Sequence, residues 1–304
     1  MAEIVYELPK EALTPPEGFV EAAREAGVEF DPGDVEKLGL YLAHLLHVNA
    51  LFNLTAITEP AAAWTRHILD ALTLLPWISE LAAEIEDDRA ADALADELEQ
   101  DVGGAEGEGE GDDDDATSPA PRPVGKPAKK SKRPRVCRVI DVGSGGGVPG
   151  IPLAIVMPNV RFTLLEPTAK KAAFLRRSAA ALGLQNVDVV SDRAERAAHR
   201  KPLRERFDAA TARAVGHLAE TAELCAGFVR VGGIVLAIKG ERAEAELVEA
   251  AGALRTVNLD HVETETTATG RIVALAKSDY LTRGYPRVDG EPKRRPLGMA
   301  AKVK

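Results

Sequence analysis

The chain is poor in aromatic residues and cysteines and has no long apolar run. Aromatic side chains make up 4% of its 304 residues, and the two cysteines are Cys137 and Cys225. Their separation matches no metal-binding pattern, so we predict two buried, reduced thiols and no metal site. No apolar stretch approaches the roughly 18 residues that span a bilayer, and residues 1–10 lack the basic and apolar parts of a secretion signal. We therefore expect a cytoplasmic protein without a membrane partner.

Charge is distributed unevenly along the chain. The formal net charge is −10, but residues 81–116 contain sixteen acidic residues and one basic residue, a net of −15. Residues 117–138 contain eight basic residues and no acidic one, so the rest of the chain carries only −3. The folded part is therefore close to neutral, and the total charge does not argue against a nucleic-acid partner.

A segment of biased composition separates two apolar regions. Residues 103–115 alternate glycine with acidic residues, and residues 117–135 are rich in proline, alanine, lysine and arginine. Such a composition buries too little apolar surface to offset chain entropy. We predict a disordered insertion over 81–135, although its first part, to about Gln100, is also compatible with an acidic helix. The basic block at 126–133 is either a contact for RNA phosphates or a solvated linker.

The region before the insertion has helical periodicity. Apolar residues recur at helical spacing over 17–27 and 32–51, and we expect a third helix to begin near Glu59. His67 and Asp70 lie three residues apart on that third helix and therefore share a face. They form either a surface or capping pair or one wall of an active cleft.

From Val136 onward, strand and helix patterns alternate, which is typical of an α/β fold with a parallel sheet. We predict a seven-stranded, mostly parallel sheet that ends in a hairpin. The expected strands are 137–142, 160–166, 187–190, 207–211, 234–238, 255–262 and 271–277, with helices at 150–157, 168–183, 216–228 and 241–252. The predicted regions are an N-terminal helical region (1–80), the insertion (81–135), the sheet domain (136–280) and a basic C-terminal tail (281–304).

The first strand leads into a glycine-rich turn. Asp141 lies near the end of this strand, two residues before Gly143, and Gly143, Gly145 and Gly147 let the backbone turn sharply and a ligand touch it directly. We expect the helix that begins near Gly150 to offer free N–H groups to an electron-rich ligand.

A second acid suggests which ligand binds. Glu166 closes the next apolar run, nineteen residues after Gly147, where its carboxylate can accept hydrogen bonds from ribose hydroxyls. Because a pyrophosphate would be repelled by Asp141, the two acids favour S-adenosylmethionine (SAM), which carries an amino group and a sulfonium. The pattern looks like the SAM site of Rossmann-type methyltransferases. A dinucleotide enzyme and a simple tight turn remain as alternatives.

Ligands of open α/β sheets bind beyond the carboxyl ends of the strands. Ala194 and Glu195 follow the third strand, and we predict that they border the adenine. Arg213 ends the fourth strand, between the expected cofactor pocket and the substrate opening. It either orients the cofactor or base at the point of transfer or forms a salt bridge to a nearby acid such as Asp141.

Several motifs together resemble the RsmG (GidB) family. They cover roughly 35–80 and 136–297, and the Val-Pro-Gly-Ile-Pro-Leu run after the glycine turn is not a general methyltransferase feature. The matching segments are Asn53-Leu54-Thr55, Arg66-His67-Ile68-Leu69-Asp70, Asp141 to Ala154, Lys170-Lys171 with Phe174-Leu175, Arg213-Ala214, and the closing Tyr285-Pro286-Arg287 with Pro292 to Leu297.

The resemblance implies a Rossmann-like class I SAM-dependent methyltransferase with an N-terminal helical extension. It implies transfer of a methyl group from SAM to N7 of a guanine in 16S rRNA, G527 being the family position, with 16S rRNA or the small ribosomal subunit as partner. We expect a monomer. The implied cofactor contacts are Gly143, Val148, Ala194, Glu195 and Arg213, with Glu166 and Thr168 at the ribose and Asp141 at the methionine end.

The RNA footprint is expected from basic residues around the cleft, although such residues are also common on a solvated helix face. The chain departs from the family at Glu166, where aspartate is usual, at Ala71, where serine is common, and in the insertion. A methyltransferase with another substrate, a non-catalytic SAM-binding regulator and a dehydrogenase remain open. The predicted RNA contacts are Arg66, His67, Lys170, Lys171, Arg176 and Arg193.

Overall fold

The N-terminal half of the fold is helical. The structure, a computed structural model, describes residues 6–102 and 136–299. The predicted disordered insertion over 81–135 is wrong for its first part, because one helix crosses residue 80 and continues to Val102, as the alternative of an acidic helix allowed. The glycine-acid stretch and the basic block lie outside the described residues. The N-terminal elements are α1 (Phe19–Glu25), α2 (Asp34–Asn49), α3 (Pro60–Ala63), a π-helical segment (Trp64–Leu69), α4 (Asp70–Leu72) and α5 (Leu75–Val102).

Helix α2 attaches this region to the rest of the chain. Leu38, Leu42 and Leu45 recur at helical spacing and are fully buried. They belong to one apolar cluster with Ile151 and Leu175, which lie in the sheet domain. Burial of each leucine contributes about 1.5–3 kcal/mol. The helical region and the sheet domain therefore share a core.

The sheet domain follows the predicted alternation of strand and helix. None of the helices among residues 6–102 and 136–299 has the length and apolarity needed to cross a membrane. The strands are β1 (Arg138–Val142), β2 (Arg161–Leu165), β3 (Val187–Val190), β4 (Phe207–Arg213), β5 (Val229–Lys239), β6 (Leu259–Thr266) and β7 (Arg271–Lys277). The helices are α6 (Gly150–Val156), α7 (Ala169–Ala181), α8 (Ala194–Ala197), α9 (Leu218–Ala226), α10 (Ala243–Thr256) and α11 (Glu291–Arg294).

The seven strands form one sheet in the order β3-β2-β1-β4-β5-β7-β6. Strands β1 to β5 pair in parallel, and β7 runs antiparallel to both of its neighbours. The predicted seven-stranded, mostly parallel sheet is confirmed. Strand order reverses between β1 and β4, so a ligand crevice is expected beyond their carboxyl ends.

The C-terminal segment, residues 281–299, is packed against the sheet domain. Arg287 donates hydrogen bonds to both carboxylate oxygens of Glu223 on α9, with Nη2 2.6 Å from Oε2. Glu223 is fully buried, and so is almost all of Leu281. This segment is therefore an ordered part of the fold, because its arginine neutralises a buried carboxylate that would otherwise be costly.

Candidate active site

A cleft lies where the fold predicts it, beyond the carboxyl ends of β1, β2 and β4. It consists of two adjoining cavities, of about 410 Å³ and about 360 Å³, which share Gly143, Glu166 and Ala214. The larger, here the loop cavity, is lined by Thr55, His67, Val148, Lys171 and Arg213 among others. The smaller, here the tail cavity, is lined by Arg193, Ala194, Glu195, Glu220 and Lys293 among others.

Hydrogen bonds within the protein fix the glycine turn. The N–H groups of Gly143 and Ser144 donate to the carbonyl of Leu165 at 2.9 and 3.0 Å, and Gly147 donates to the carbonyl of Ser144 at 2.7 Å. The hydroxyl of Tyr41 on α2 donates to the carbonyl of Gly146 at 2.8 Å. These three turn amides therefore already have partners within the protein and are not available to a ligand.

Gly143 requires the conformation that glycine allows. Its φ is +78°, and a Cβ atom there would lie 3.2 Å from Cγ2 of Val215. Ala214 also has a positive φ, of 56°. A left-handed alanine costs roughly 1–2 kcal/mol, and such strain is concentrated at functional sites. Both residues border both cavities, so the most constrained backbone of the cleft lies at its centre.

Asp141 lies beneath the turn and does not line either cavity. Its side chain is 1% exposed, and the Thr211 hydroxyl donates to Oδ1 at 3.2 Å. A Cβ atom on Gly150 would lie 3.0 Å from Oδ2, which accepts no well-aligned hydrogen bond from the described residues. Burial raises the pKa of Asp141 to about 6, and the Ser144 and Thr211 hydroxyls, the Gly150 amide and, least, the charge of Arg213 oppose this only in part. The predicted direct contact of Asp141 with the ligand is therefore wrong, because its carboxylate is a buried charge beneath the glycine turn.

Glu166, the predicted ribose acceptor, lies between the two cavities. Oε2 accepts a hydrogen bond from the Gly145 amide at 2.9 Å, and Oε1 accepts one from the Thr168 amide at 2.7 Å. A carboxylate has about four lone-pair sites, so each oxygen can accept a further bond from a ligand hydroxyl. Thr168 acts through its backbone, and its exposed side chain lines neither cavity.

The loop after β3 meets the C-terminal segment at the tail cavity. Ala194, which is predicted to border the adenine, lines this cavity. The Glu195 carboxylate is already engaged, because Oε1 accepts hydrogen bonds from the Gly290 amide at 2.7 Å and from Arg193 Nη2 at 3.2 Å. Glu195 therefore shapes the cavity and holds the C-terminal segment, which contributes Lys293 to the lining.

Arg213 lines the loop cavity, and its partner is not the predicted one. Its Nε lies 3.1 Å from Oδ2 of Asp70, and the two side chains are only 18% and 7% exposed. Its Nη1 lies 3.2 Å from Nδ1 of His67. The suggested pair with Asp141 is wrong, because that carboxylate points under the glycine turn. His67 and Asp70 thus form a wall of the cleft, and Thr269 donates a further hydrogen bond to Asp70.

The π-helical segment positions His67. Such segments interrupt α-helices mostly at functional sites, and this one places His67 between Arg213 and the hydroxyl of Thr55, which lies 2.8 Å from Nε2. Burial, aided by the positive charge of Arg213, lowers the pKa of His67 to about 4. Because the ring is 4% exposed and neutral, the predicted phosphate contact of His67 does not fit this geometry.

The other predicted RNA contacts surround the cleft at different distances. Lys171 and Arg193 line the loop and tail cavities respectively. Lys170 is exposed, with its Nζ 5.0 Å from the centre of the Phe52 ring. Arg66 is exposed, and Arg176 donates to the carbonyl of Val189 at the sheet edge. The last two do not line either cavity.

The sequence prediction missed several residues of the cleft. Thr55 comes from the helical region and Lys293 from the C-terminal segment, and the buried Tyr41 supports the glycine turn without lining either cavity. Thr55 and Lys293 each had a signal, as part of the Asn53-Leu54-Thr55 motif and of the Pro292 to Leu297 segment of the family resemblance. Within the part of the chain that the structure describes, no three His, Cys, Asp or Glu side chains are grouped to hold a metal ion.

The comparisons with known proteins cover both the helical region and the sheet domain. A family model described as rRNA small subunit methyltransferase G (GidB) matches residues 34–87 and 126–273. The ribosomal RNA small subunit methyltransferase G of Sorangium cellulosum (strain So ce56) is 42% identical over 274 residues, covering 90% of this chain and 92% of that protein. The enzyme of the same name from Moorella thermoacetica is 31% identical, over 90% of this chain and 95% of its own length.

Among solved structures, the antibiotic-resistance methyltransferase Kmr aligns with a TM-score of 0.37 at 18% identity, over 46% of this chain and 87% of Kmr. The family match is much broader. Its first segment includes Asp70 and its second includes Arg213, so it covers both partners of the ion pair at the cleft. The chain therefore belongs to the rRNA small subunit methyltransferase G family.

Proposed function

We propose that this protein transfers a methyl group from SAM to N7 of a guanine in 16S rRNA. The observation that carries the proposal is the placement of Glu166 between two adjoining cavities at the carboxyl ends of β1, β2 and β4. The family match supports the class of reaction and its RNA substrate. The protein acts in the cytoplasm, where small subunits are assembled, and as a monomer.

The donor groups of the cleft fit SAM better than a dinucleotide. Oxygens of Glu166 have lone pairs available for ribose hydroxyls, and Ala194 leaves room for a ring in the tail cavity. Asp141 places a buried, poorly compensated negative charge beneath the glycine turn, which favours a ligand with positive charge. Several turn amides that a pyrophosphate would need are already used within the protein.

The reaction demands alignment more than acid–base catalysis. When bound, SAM supplies a methyl group on a sulfonium, which is transferred by in-line displacement. Guanine N7 has a free lone pair, so no residue needs to remove a proton. Arg213 is held by Asp70 and His67 and can orient the base or the cofactor carboxylate. Neutral His67 supports that position without adding charge.

The approach of RNA is supported by basic residues at the opening of the cleft. Lys171 lines the loop cavity, Arg193 lines the tail cavity, and Lys170 is exposed beside them. Their positive charges suit the phosphates that flank an exposed base. The target guanine must leave its stack to reach the cleft.

The test uses 16S rRNA and small subunits from cells that lack this protein. Purified protein is incubated with each substrate and isotopically labelled SAM, and nucleosides are analysed by mass spectrometry. We expect labelled 7-methylguanosine, with Glu166→Asp active and Glu166→Ala strongly impaired. Cofactor binding without any methylated nucleoside would favour a SAM-binding regulator, and label in another nucleoside would overturn the guanine-N7 assignment.

A further inference from the structure

The Thr55 hydroxyl lies on the wall of the loop cavity, between the Ile57 amide and the ring of His67. The Ile57 amide donates to Oγ1 at 3.0 Å, and Nε2 of His67 lies 2.8 Å from the same atom. Whether Thr55 accepts or donates toward His67 depends on which ring nitrogen carries the proton.

Arg213 determines which ring nitrogen of His67 carries the proton. A guanidinium has only donor hydrogens, so Nδ1 of His67 must accept from Arg213 Nη1, 3.2 Å away. The buried ring is neutral, and its single proton must therefore be on Nε2. His67 consequently donates to Thr55 Oγ1, which leaves the hydroxyl proton of Thr55 without an acceptor among the described residues.

This edge of the loop cavity thus presents hydrogen-bond donors to a bound base. Thr55 has a hydroxyl hydrogen to give, and Arg213 keeps N–H groups beyond those used by Asp70 and His67. A base that offers a carbonyl oxygen here gains a hydrogen bond. A base with an amino group at the same place brings two donors together, which a polar site rejects strongly.

We propose that Thr55 is a specificity-determining residue, which donates its hydroxyl hydrogen to O6 of the purine that is methylated at N7. The inference rests on the proposed function. In guanine, O6 and N7 lie side by side as acceptors on one edge, whereas adenine has an amino group beside N7. Arg213 sets the direction of the Thr55 hydrogen bond through His67, so it acts here as a positioning residue.

The kinetic test compares guanine with 2-aminopurine at the target position of the RNA, because 2-aminopurine keeps N7 and lacks O6. In the wild-type protein we expect kcat/KM to fall about tenfold with 2-aminopurine. Thr55→Val should lose about tenfold on guanine and discriminate no further between the bases, whereas Thr55→Ser should behave like wild type. Full discrimination by Thr55→Val would overturn the proposal.

A second measurement needs neither RNA nor cofactor and does not require any variant to fold. Nitrogen-15 NMR of the wild-type protein at neutral pH should show His67 protonated on Nε2 and unprotonated on Nδ1. The opposite tautomer would overturn the assignment of Thr55 as a donor. If the tautomer is correct but neither RNA is methylated, the proposed function fails and the proposed role of Thr55 in recognising O6 fails with it.

Discussion

The two cavities of the cleft are held in different ways. Around the tail cavity, the key carboxylates of Glu166 and Glu195 accept hydrogen bonds from backbone amides of nearby loops and of the C-terminal segment. Around the loop cavity, the side chain of Arg213 is held by Asp70 and His67, which come from the helical region.

Because of this difference, mutations around the two cavities should affect different properties of the protein. A carboxylate held by backbone amides can be removed with mainly local consequences, because the backbone stays in place. A side-chain network between two regions stabilises their packing as well as the site. The first side should therefore respond to mutation chiefly in ligand affinity, and the second in stability as well as in catalysis.

The largest expected effect is the loss of the Asp70 charge. Asp70→Asn leaves the mostly buried Arg213 without its anion, which should lower the free energy of unfolding by about 3–5 kcal/mol. Glu244→Gln is the matched control, since Glu244 lies 3.2 Å from Nε of Arg271 but its side chain is 60% exposed. That variant should lose far less stability, because exposed ion pairs contribute little. Urea unfolding measures both, and equal losses would contradict the proposed contrast between the cavities.

The next effect concerns Glu166 and ligand affinity. Glu166→Ala removes the charged acceptor of the ribose hydroxyls, and a hydrogen bond to a charged group corresponds to about 1.5–3 kcal/mol, or roughly 10- to 150-fold in affinity. Calorimetric titration with S-adenosylhomocysteine measures it. Glu166→Asp keeps the carboxylate of the family and should lose far less, so similar losses in the two variants would argue against a role for the charge.

The pH dependence of stability should have opposite signs for His67, which lines the loop cavity, and for Asp141, which lies beneath the glycine turn. The lowered pKa of His67, about 4, means that the unfolded chain binds more protons than the folded one between pH 4 and the ordinary value of 6.5. Stability is therefore lost as the pH falls through that window. The raised pKa of Asp141, about 6, means that the folded chain binds more protons between 3.8 and 6, so stability is lost as the pH rises through that window.

Between pH 7 and pH 5 the His67 contribution should cost about 2 kcal/mol, and Asp141 should offset about 1 kcal/mol of it. Asp141→Asn should therefore lose more stability than wild type over this range, and His67→Gln should lose less. Denaturant unfolding at both pH values gives the two differences. Identical pH slopes in all three proteins would show that neither group is perturbed in this way.

The smallest effect is expected for RNA affinity. Lys171→Ala should weaken binding of 16S rRNA a few-fold and reduce the slope of log affinity against log salt concentration by about 0.7–0.9. Arg161→Ala is the control, because Arg161 begins β2 at the end of the sheet opposite the cleft and is 55% exposed. Filter binding over a salt series checks both, and an unchanged slope for Lys171→Ala would exclude a phosphate contact there.

Much of the fold could be predicted because its signals are local. Strand β3 matches its predicted bounds, and β1 and β2 match to within one residue at each end. The start of β5 was missed, since the glycine pair after Val231 hides the pattern. A Cβ on Gly233 would lie 2.5 Å from the carbonyl of Asp208. This close approach and the register shift beside it explain why glycine occurs inside a strand.

The site was predicted less completely than the sheet. Residues that follow strands, such as Glu166, Ala194 and Arg213, were identified because parallel strands bring their carboxyl ends to one edge. Thr55 and Lys293 reach the same cleft from distant parts of the chain, and no local sequence periodicity predicts that they line it. The prediction for Asp141 failed for a related reason, since its position in the strand leaves open whether the side chain turns toward ligand or toward core.

Taken alone, the sequence determined the alternation of strands and helices, the glycine turn and the residues that follow each strand. These depend on periodicity and backbone conformation, which are properties of neighbouring residues. The tertiary structure alone decided that Arg213 pairs with Asp70, that His67 is neutral, and that Glu223 holds the C-terminal segment through Arg287. Those outcomes depend on which charges become buried together, and burial is known only after the chain has folded.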